Sequence, residues 1–89
     1  MQVLFTKTFL KDLSKVQPPK RRLQIEFFVF EELPKFNTLT EVGSVEKMIG
    51  STNHYKIRFG DYRIGLIKSG ENVELLRVLN RKEIYRFFP

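Results

Sequence analysis

A Gly60-Asp61 pair set between the alternating runs Tyr55-Lys56-Ile57-Arg58-Phe59 and Tyr62-Arg63-Ile64 constrains this chain more than any other stretch. Glycine at the first central position of a two-residue loop is the signal of a II′ hairpin turn. The two strands then close with Phe59 opposite Tyr62, Arg58 opposite Arg63 and Ile57 opposite Ile64. Period-2 alternation gathers Tyr55, Ile57, Phe59, Tyr62, Ile64 and Leu66 on one face and Lys56, Arg58 and Arg63 on the other. Two arginines face each other directly, and like charges across a strand pair destabilise it by something within roughly 0.2–1 kcal/mol. A sheet that accepts this repulsion is expected to meet an anion on that face.

What surrounds the hairpin is short. Eighty-nine residues lie near the lower end of sizes that bury a sufficient core without disulfides or metals, and nine phenylalanines make that core feasible. The absence of cysteine removes disulfides, zinc-thiolate sites and thiol nucleophiles together, and fits a reducing compartment, so the expected location is the cytoplasm. No basic stretch followed by a long apolar run opens the chain, and no segment approaches a membrane span. The formal charge is +6, with residues 1–23 and 56–89 basic and residues 24–55 net acidic. That excess favours an anionic partner, such as nucleic acid or an acidic protein.

No repeat, low-complexity tract or linker divides the sequence, so residues 1–89 read as one unit. Val3-Leu4-Phe5 is a short strand candidate. Phe9, Leu10, Leu13 and Val16 follow at helical spacing, which predicts a helix over 8–16 begun by Thr8. Pro18-Pro19 breaks the pattern and presets the first turn of a second helix, expected over 19–33 with Leu23, Phe27, Phe30 and Leu33 as its buried stripe, and Pro34 ends it. Residues 35–53 read as a loop with a short turn near 45–48. After the hairpin, Ser69-Gly70-Glu71-Asn72 forms a second turn and residues 73–79 a third strand, apolar on both faces as suits an inner position. Residues 81–88 close the chain as a short helical element. The fold class is α+β in the order β-α-α-β-β-β, an antiparallel sheet with a two-helix hairpin on one face.

Strand direction places the far end of the third strand beside the hairpin turn, which brings Arg81 toward Arg58 and Arg63. Guanidinium forks fit phosphate oxygens bidentately, and cations aimed at a pentavalent phosphorus stabilise the charge that develops there. Tyr85 adds a ring on which an unpaired base stacks. His54, the sole histidine, is read as a surface or hydrogen-bonded residue.

Tyr55-Lys56-Ile57-Arg58, Gly60-Asp61-Tyr62-Arg63-Ile64, Leu76-Arg77-Val78, Arg81 and Tyr85 together resemble the RelE/ParE superfamily of toxins from bacterial type II toxin-antitoxin modules. The resemblance implies a RelE-like microbial RNase fold and an endoribonuclease that enters the ribosomal A site and cuts mRNA. Attack by the ribose 2′-hydroxyl on the adjacent phosphate would leave a 2′,3′-cyclic phosphate. By position, Lys56 and Arg58 match the basic pair of the second strand, Arg63 the phosphate-holding arginine, and Arg81 and Tyr85 the C-terminal arginine and stacking tyrosine. Arg77 and Lys82 join them in the expected RNA-binding set. Arg58 stands where RelE has a second lysine, and an arginine stays protonated, which leaves Lys56 as the implied proton acceptor. Asn80 stands where many relatives have histidine or another basic residue.

The resemblance implies a cognate antitoxin, an acidic segment ordering over the helices and basic face, with Phe87-Phe88 as an exposed aromatic contact or a core plug. It also implies mRNA on the ribosome with contacts to 16S ribosomal RNA, DNA only through the antitoxin, and no metal, cofactor or membrane. Two other functions are open at this point, a ParE-like gyrase inhibitor without chemistry and an inactive nucleic-acid-binding relative.

Overall fold

The computed structural model describes residues 1–89. Its strands are β1 (Val3–Phe5), β2 (Val45–Lys47), β3 (His54–Phe59), β4 (Tyr62–Ser69) and β5 (Asn72–Asn80), and its helices are α1 (Lys7–Leu13), α2 (Pro19–Phe27) and α3 (Ile84–Phe87). All five strands enter one sheet in the order β1-β5-β4-β3-β2. The class is α+β, with one strand more than the sequence suggested.

The hairpin closes in the expected register, Phe59 with Tyr62, Arg58 with Arg63 and Ile57 with Ile64, and Gly60 sits at a φ of +60° as its turn requires. Gly70, also at +60°, turns β4 into β5 in the same way, with Ser69 paired to Asn72. The sheet is mixed where an antiparallel one was expected, because β1 runs parallel to β5 with Val3 beside Val73 and Phe5 beside Leu75. A three-residue strand carries no direction in its composition; the α1–α2 crossover that follows it sets the orientation.

Both helices depart from their sequence reading. The α1 cap is Thr6, whose side chain accepts from the Phe9 N–H at 3.0 Å, so the helix starts two residues earlier than a Thr8 cap would start it. Thr6 also donates to the Leu75 carbonyl at 3.0 Å, which ties the cap to the sheet. From α2 the chain continues through a wider π-helical turn, Phe28–Glu32, and a 3-10 turn, Leu33–Lys35. The stripe it buries is Ile25, Val29 and Leu33, while Leu23, Phe27 and Phe30 remain exposed. Two stripes of helical spacing exist in this segment, and the slimmer one fits beneath a second helix against the sheet.

The main core joins Phe9, Leu13, Val16, Ile25, Val29 and Leu33 of the helical layer to Ile57, Ile64, Leu66, Val73, Leu75 and Val78 of the sheet. A β-bulge between Gly65 and Leu66 leaves Leu76 extra on β5. Leu76 and Leu79 then pack on the opposite face, in a second cluster with Met48, Ile84 and Phe88. Phe88 is therefore a buried plug, and of the Phe87-Phe88 pair only Phe87 is exposed.

Gly65 makes that plug possible. A methyl group on its Cα would stand 2.7–2.8 Å from three ring atoms of Phe88, so the ring lies flat where only glycine leaves room. Gly65→Ala is expected to cost about 1–3 kcal/mol by overpacking, and Phe88→Ala about 3–5 kcal/mol by removing a buried ring. In the double variant the added methyl meets no ring, so the loss is smaller than the sum. Urea unfolding of the four proteins reads this directly, and additive losses would contradict the contact.

Candidate active site

Helices cover one face of the sheet, and the hairpin cations lie on the other. Alternation puts His54, Lys56 and Arg58 on that second face, with Arg63 and Gly65 beside them on β4. Pairing of β2 with β3 adds Glu46, directly opposite Lys56. Over this surface fold α3 and Phe88, anchored by Ile84.

The turn after β5 delivers α3 there. The Arg81 N–H donates to the Asp61 carbonyl at 2.8 Å, which fixes Arg81 beside the hairpin turn as strand direction predicted. Asn80 shapes the bend: its side-chain oxygen accepts from the Lys82 N–H at 3.0 Å and its carbonyl from the Glu83 N–H at 2.8 Å. Asn80 is thus a turn former. The α3 backbone then places Tyr85 above Lys56.

Lys56 and Tyr85 form the centre of the arrangement. The Lys56 ammonium donates to the Tyr85 hydroxyl and stands 3.9 Å from Glu46 Oε2. Its nitrogen is 4.5 Å from the ring centroid, and Tyr85 remains exposed. Its side chain is only 14% exposed, against 71% for Glu46, so a nearly covered cation meets a solvated carboxylate. Glu46 was missed from the sequence because its role depends on a three-residue strand read as a turn; the spacing Glu46-x9-Lys56 carries no signal by itself.

The other predicted residues divide into two groups. Arg58 and Arg63 are paired across the hairpin, Arg58 exposed with no side-chain partner. Arg63 Nη1 donates to the carbonyls of Gly60 at 2.8 Å and Tyr62 at 2.9 Å. Folding onto its own turn fixes that guanidinium and leaves Nε and Nη2 free to donate. Arg81 and Lys82 are exposed without side-chain partners.

Arg77 belongs to a different structure. Its Nε donates to Asp12 Oδ2 at 2.7 Å and its Nη2 to Oδ1 at 3.2 Å, and the Val78 N–H reaches the same carboxylate at 3.2 Å. Asp12 occupies the edge of β5 that β1 is too short to cover, and Arg77 also stacks against Phe87 with 5.4 Å between guanidinium carbon and ring centroid. Arg77 ties α1 to the sheet: its register opposite Gly65, itself opposite Lys56, sets it on the same sheet face, and its guanidinium is taken up by Asp12. His54 likewise is structural, its Nδ1 2.6 Å from Ser51 Oγ and its ring edge-on to Phe88. No helix is long and apolar enough to cross a membrane.

The model of the ParE toxin of the type II toxin-antitoxin system parDE matches residues 3–85. Over 90 residues spanning all of both chains, the sequence is 43% identical to Toxin RelE3 of Methanocaldococcus jannaschii. Among solved structures, the RelB-RelE antitoxin-toxin complex from Methanococcus jannaschii matches with a TM-score of 0.79 and 41% identity, over 97% of this chain and 99% of that one. The toxin-antitoxin complex RelBE2 from Mycobacterium tuberculosis matches with a TM-score of 0.70 and 25% identity, over 90% and 96%.

Asp12→Ala is expected to lower stability by about 2–4 kcal/mol, because it orphans both a largely covered guanidinium and the Val78 N–H. Arg77→Ala leaves the Val78 bond in place and loses less. Chemical denaturation of the two variants checks the order, and equal losses would mean that the backbone bond contributes nothing.

Proposed function

We propose, from the premise that this chain belongs to the RelE/ParE superfamily of type II toxin-antitoxin toxins, that it is an endoribonuclease cutting mRNA on the ribosome in the cytoplasm. The observation that carries this reading is the Lys56–Tyr85–Glu46 group beside Arg58, Arg63 and Arg81: phosphate-binding cations, a stacking ring and a carboxylate in one place. A toxin that acts only by occupying a topoisomerase has no need of that combination. The family model carries the ParE name while the curated relative and the structures of 25% identity or more carry the RelE name, and the site chemistry favours the second.

The reaction is transesterification. The ribose 2′-hydroxyl attacks the adjacent phosphorus, the bond to the 5′-oxygen breaks, and the products are a 2′,3′-cyclic phosphate and a 5′-hydroxyl whose proton comes from water. Arg63, Arg81 and Arg58 grip the phosphate and stabilise charge on its oxygens, and Lys56 adds a fourth cation held in place by Tyr85. The ribosome-bound message supplies a fixed strand, which converts the task into orientation. Lys56 was the implied proton acceptor, but its ammonium donates to Tyr85 and faces a carboxylate. Glu46 is the better acceptor, since its exposed carboxylate has lone pairs free.

The partner we assign is a cognate antitoxin. Leu23, Phe27 and Phe30 lie exposed along α2 and its extension, and a groove of about 740 Å³ is lined by Leu23, Phe27 and Phe59, with Gln24 and with the cations Lys20 and Arg21 outnumbering the one carboxylate, Glu32. An apolar floor with a cationic rim suits an acidic amphipathic segment. Both matching structures named above are toxin-antitoxin complexes by their names, which supports the assignment.

Expression without antitoxin is expected to arrest growth, and Arg63→Ala or Arg81→Ala to relieve the arrest in folded protein. Primer extension should show cuts in translated mRNA; intact mRNA with gyrase-dependent DNA breaks would move the protein to the ParE class. In single-turnover cleavage, Glu46→Gln should lower the rate about 100-fold or more with KM little changed. Lys56→Arg, which keeps the charge, should retain most of the rate. The reverse ranking would make Lys56 the acceptor.

A further inference from the structure

The turn that joins β3 to β4 carries more than the hairpin. Three consecutive carbonyls of it are engaged by site residues: those of Gly60 and Tyr62 accept from Arg63 Nη1 at 2.8 and 2.9 Å, and that of Asp61 accepts from the Arg81 N–H at 2.8 Å. The Arg63 side chain and the Arg81 backbone therefore take their positions from residues 60–62. A two-residue loop built on glycine is a soft support, since glycine reaches more backbone conformations than any other residue.

The helical layer braces the same turn from its other side. Arg21, in the first turn of α2, sets its guanidinium where a Gly60 Cβ would stand, with that position 2.6 Å from the guanidinium carbon and 2.6 and 3.0 Å from its terminal nitrogens. An edge-on group would bring both nitrogens nearer than the carbon, so these distances lay its flat side against the bare glycine. Arg21 Nη1 donates to Gln24 Oε1 at 3.1 Å, and the guanidinium carbon is 5.8 Å from the Phe59 ring centroid, which holds the group from two further directions. The Tyr62 hydroxyl accepts from the Gln17 N–H at 3.0 Å, so the entry to α2 grips the turn at both ends. Arg21 is half-buried and forms no ion pair, and it stands near a turn already crowded with arginines. Its charge adds repulsion there; its planar surface is what the glycine turn uses.

We infer that Arg21 is a positioning residue of the site, holding the hairpin turn from the helical face in the conformation that presents Arg63, and the backbone of Arg81, to a phosphate. This rests on the reading of those arginines as phosphate ligands and deepens it by placing a determinant of the site on the opposite face of the sheet. Arg21 touches neither the message nor the reacting atoms and acts only through residues 60–62. Donors held in place before the phosphate arrives need no reorganisation when charge develops on it. Lysine has the charge of arginine without its plane, so the contact and the charge separate experimentally.

The test uses the full chain as Arg21→Ala, Arg21→Lys and Arg22→Ala, the last removing the same charge from the next position of α2, about 100° round the helix. Nitrogen-15 relaxation at Arg63 Nε reads the order of that side chain without any ligand, and the same signal follows a titration with inorganic phosphate. Both Arg21 variants should lower the order of Arg63 and weaken phosphate about fivefold or more, while Arg22→Ala keeps the parental order. On ribosomes, the Arg21 variants should lose about tenfold in single-turnover cleavage with KM little changed. Parental order or parental phosphate affinity in Arg21→Lys makes the effect one of charge and overturns the inference, as does an Arg22→Ala loss equal to that of Arg21→Ala. Should Arg21→Ala fail to fold, Arg21→Lys decides alone. A parent that cuts no mRNA defeats the nuclease reading, and the relaxation and phosphate measurements still decide the role of Arg21.

Discussion

At Gly65, where any other residue would project a methyl group, a phenyl ring lies against the bare backbone of β4. That contact closes the C-terminal segment onto the sheet and buries Phe88 together with Ile84 and Met48. The remainder of the site follows from it. Only with the segment folded back does α3 hold Tyr85 over Lys56, and only with Met48 in the same small core does the β2–β3 loop hold its tip beside α3. A cluster of three buried residues is a thin foundation for a functional surface, and it sits apart from the larger core under the helices. Disturbance there is expected to be felt first at the site and later in the fold.

Electrostatics divides the basic residues by task. Arg77 is consumed by Asp12, and its guanidinium lies between α1 and Phe87. Arg21 packs over the hairpin turn so closely that a Cβ on Gly60 would meet its guanidinium carbon at 2.6 Å. What remains for an anion is Arg58, Arg81 and Lys82 without side-chain partners, Arg63 with Nε and Nη2 free, and Lys56. The repulsion of Arg58 and Arg63 is moderated by the bonds Arg63 makes to its own turn, whose carbonyl dipoles face it. Two of these cations are thereby preorganised: Lys56 and Arg63 are held by short local contacts, and an incoming phosphate meets them already placed.

Legibility in the sequence tracked the range of the interaction. The hairpin register followed from Gly60-Asp61 and alternation, both local, and with it came the face of Lys56, Arg58 and Arg63. The position of Arg81 followed from strand direction. Contacts between distant parts left no such trace: β1 lies against β5 some 70 residues on, with Val3 beside Val73, and Asp12 meets Arg77 only because α1 lies along an uncovered strand edge. On α2 the sequence offered two stripes of one period, and the sheet chose Ile25, Val29 and Leu33. Glu46 was hidden for the same reason as β2, since three exposed-edge residues become a strand only when β3 is there to pair with them.

The central claim is that mRNA lies on the sheet face opposite the helical hairpin, with the reacting phosphate among Lys56, Arg63 and Arg81 and a base against Tyr85. An electron cryomicroscopy structure of the protein on a ribosome, with a 2′-deoxy nucleotide at the cut to prevent reaction, tests this most directly. The account predicts the scissile phosphate within hydrogen-bond reach of those three side chains, Glu46 facing the 2′ position, and Phe88 still seated on Gly65. RNA bound along the α1–α2 face, or a C-terminal segment lifted from the sheet with Tyr85 away from the message, would contradict it.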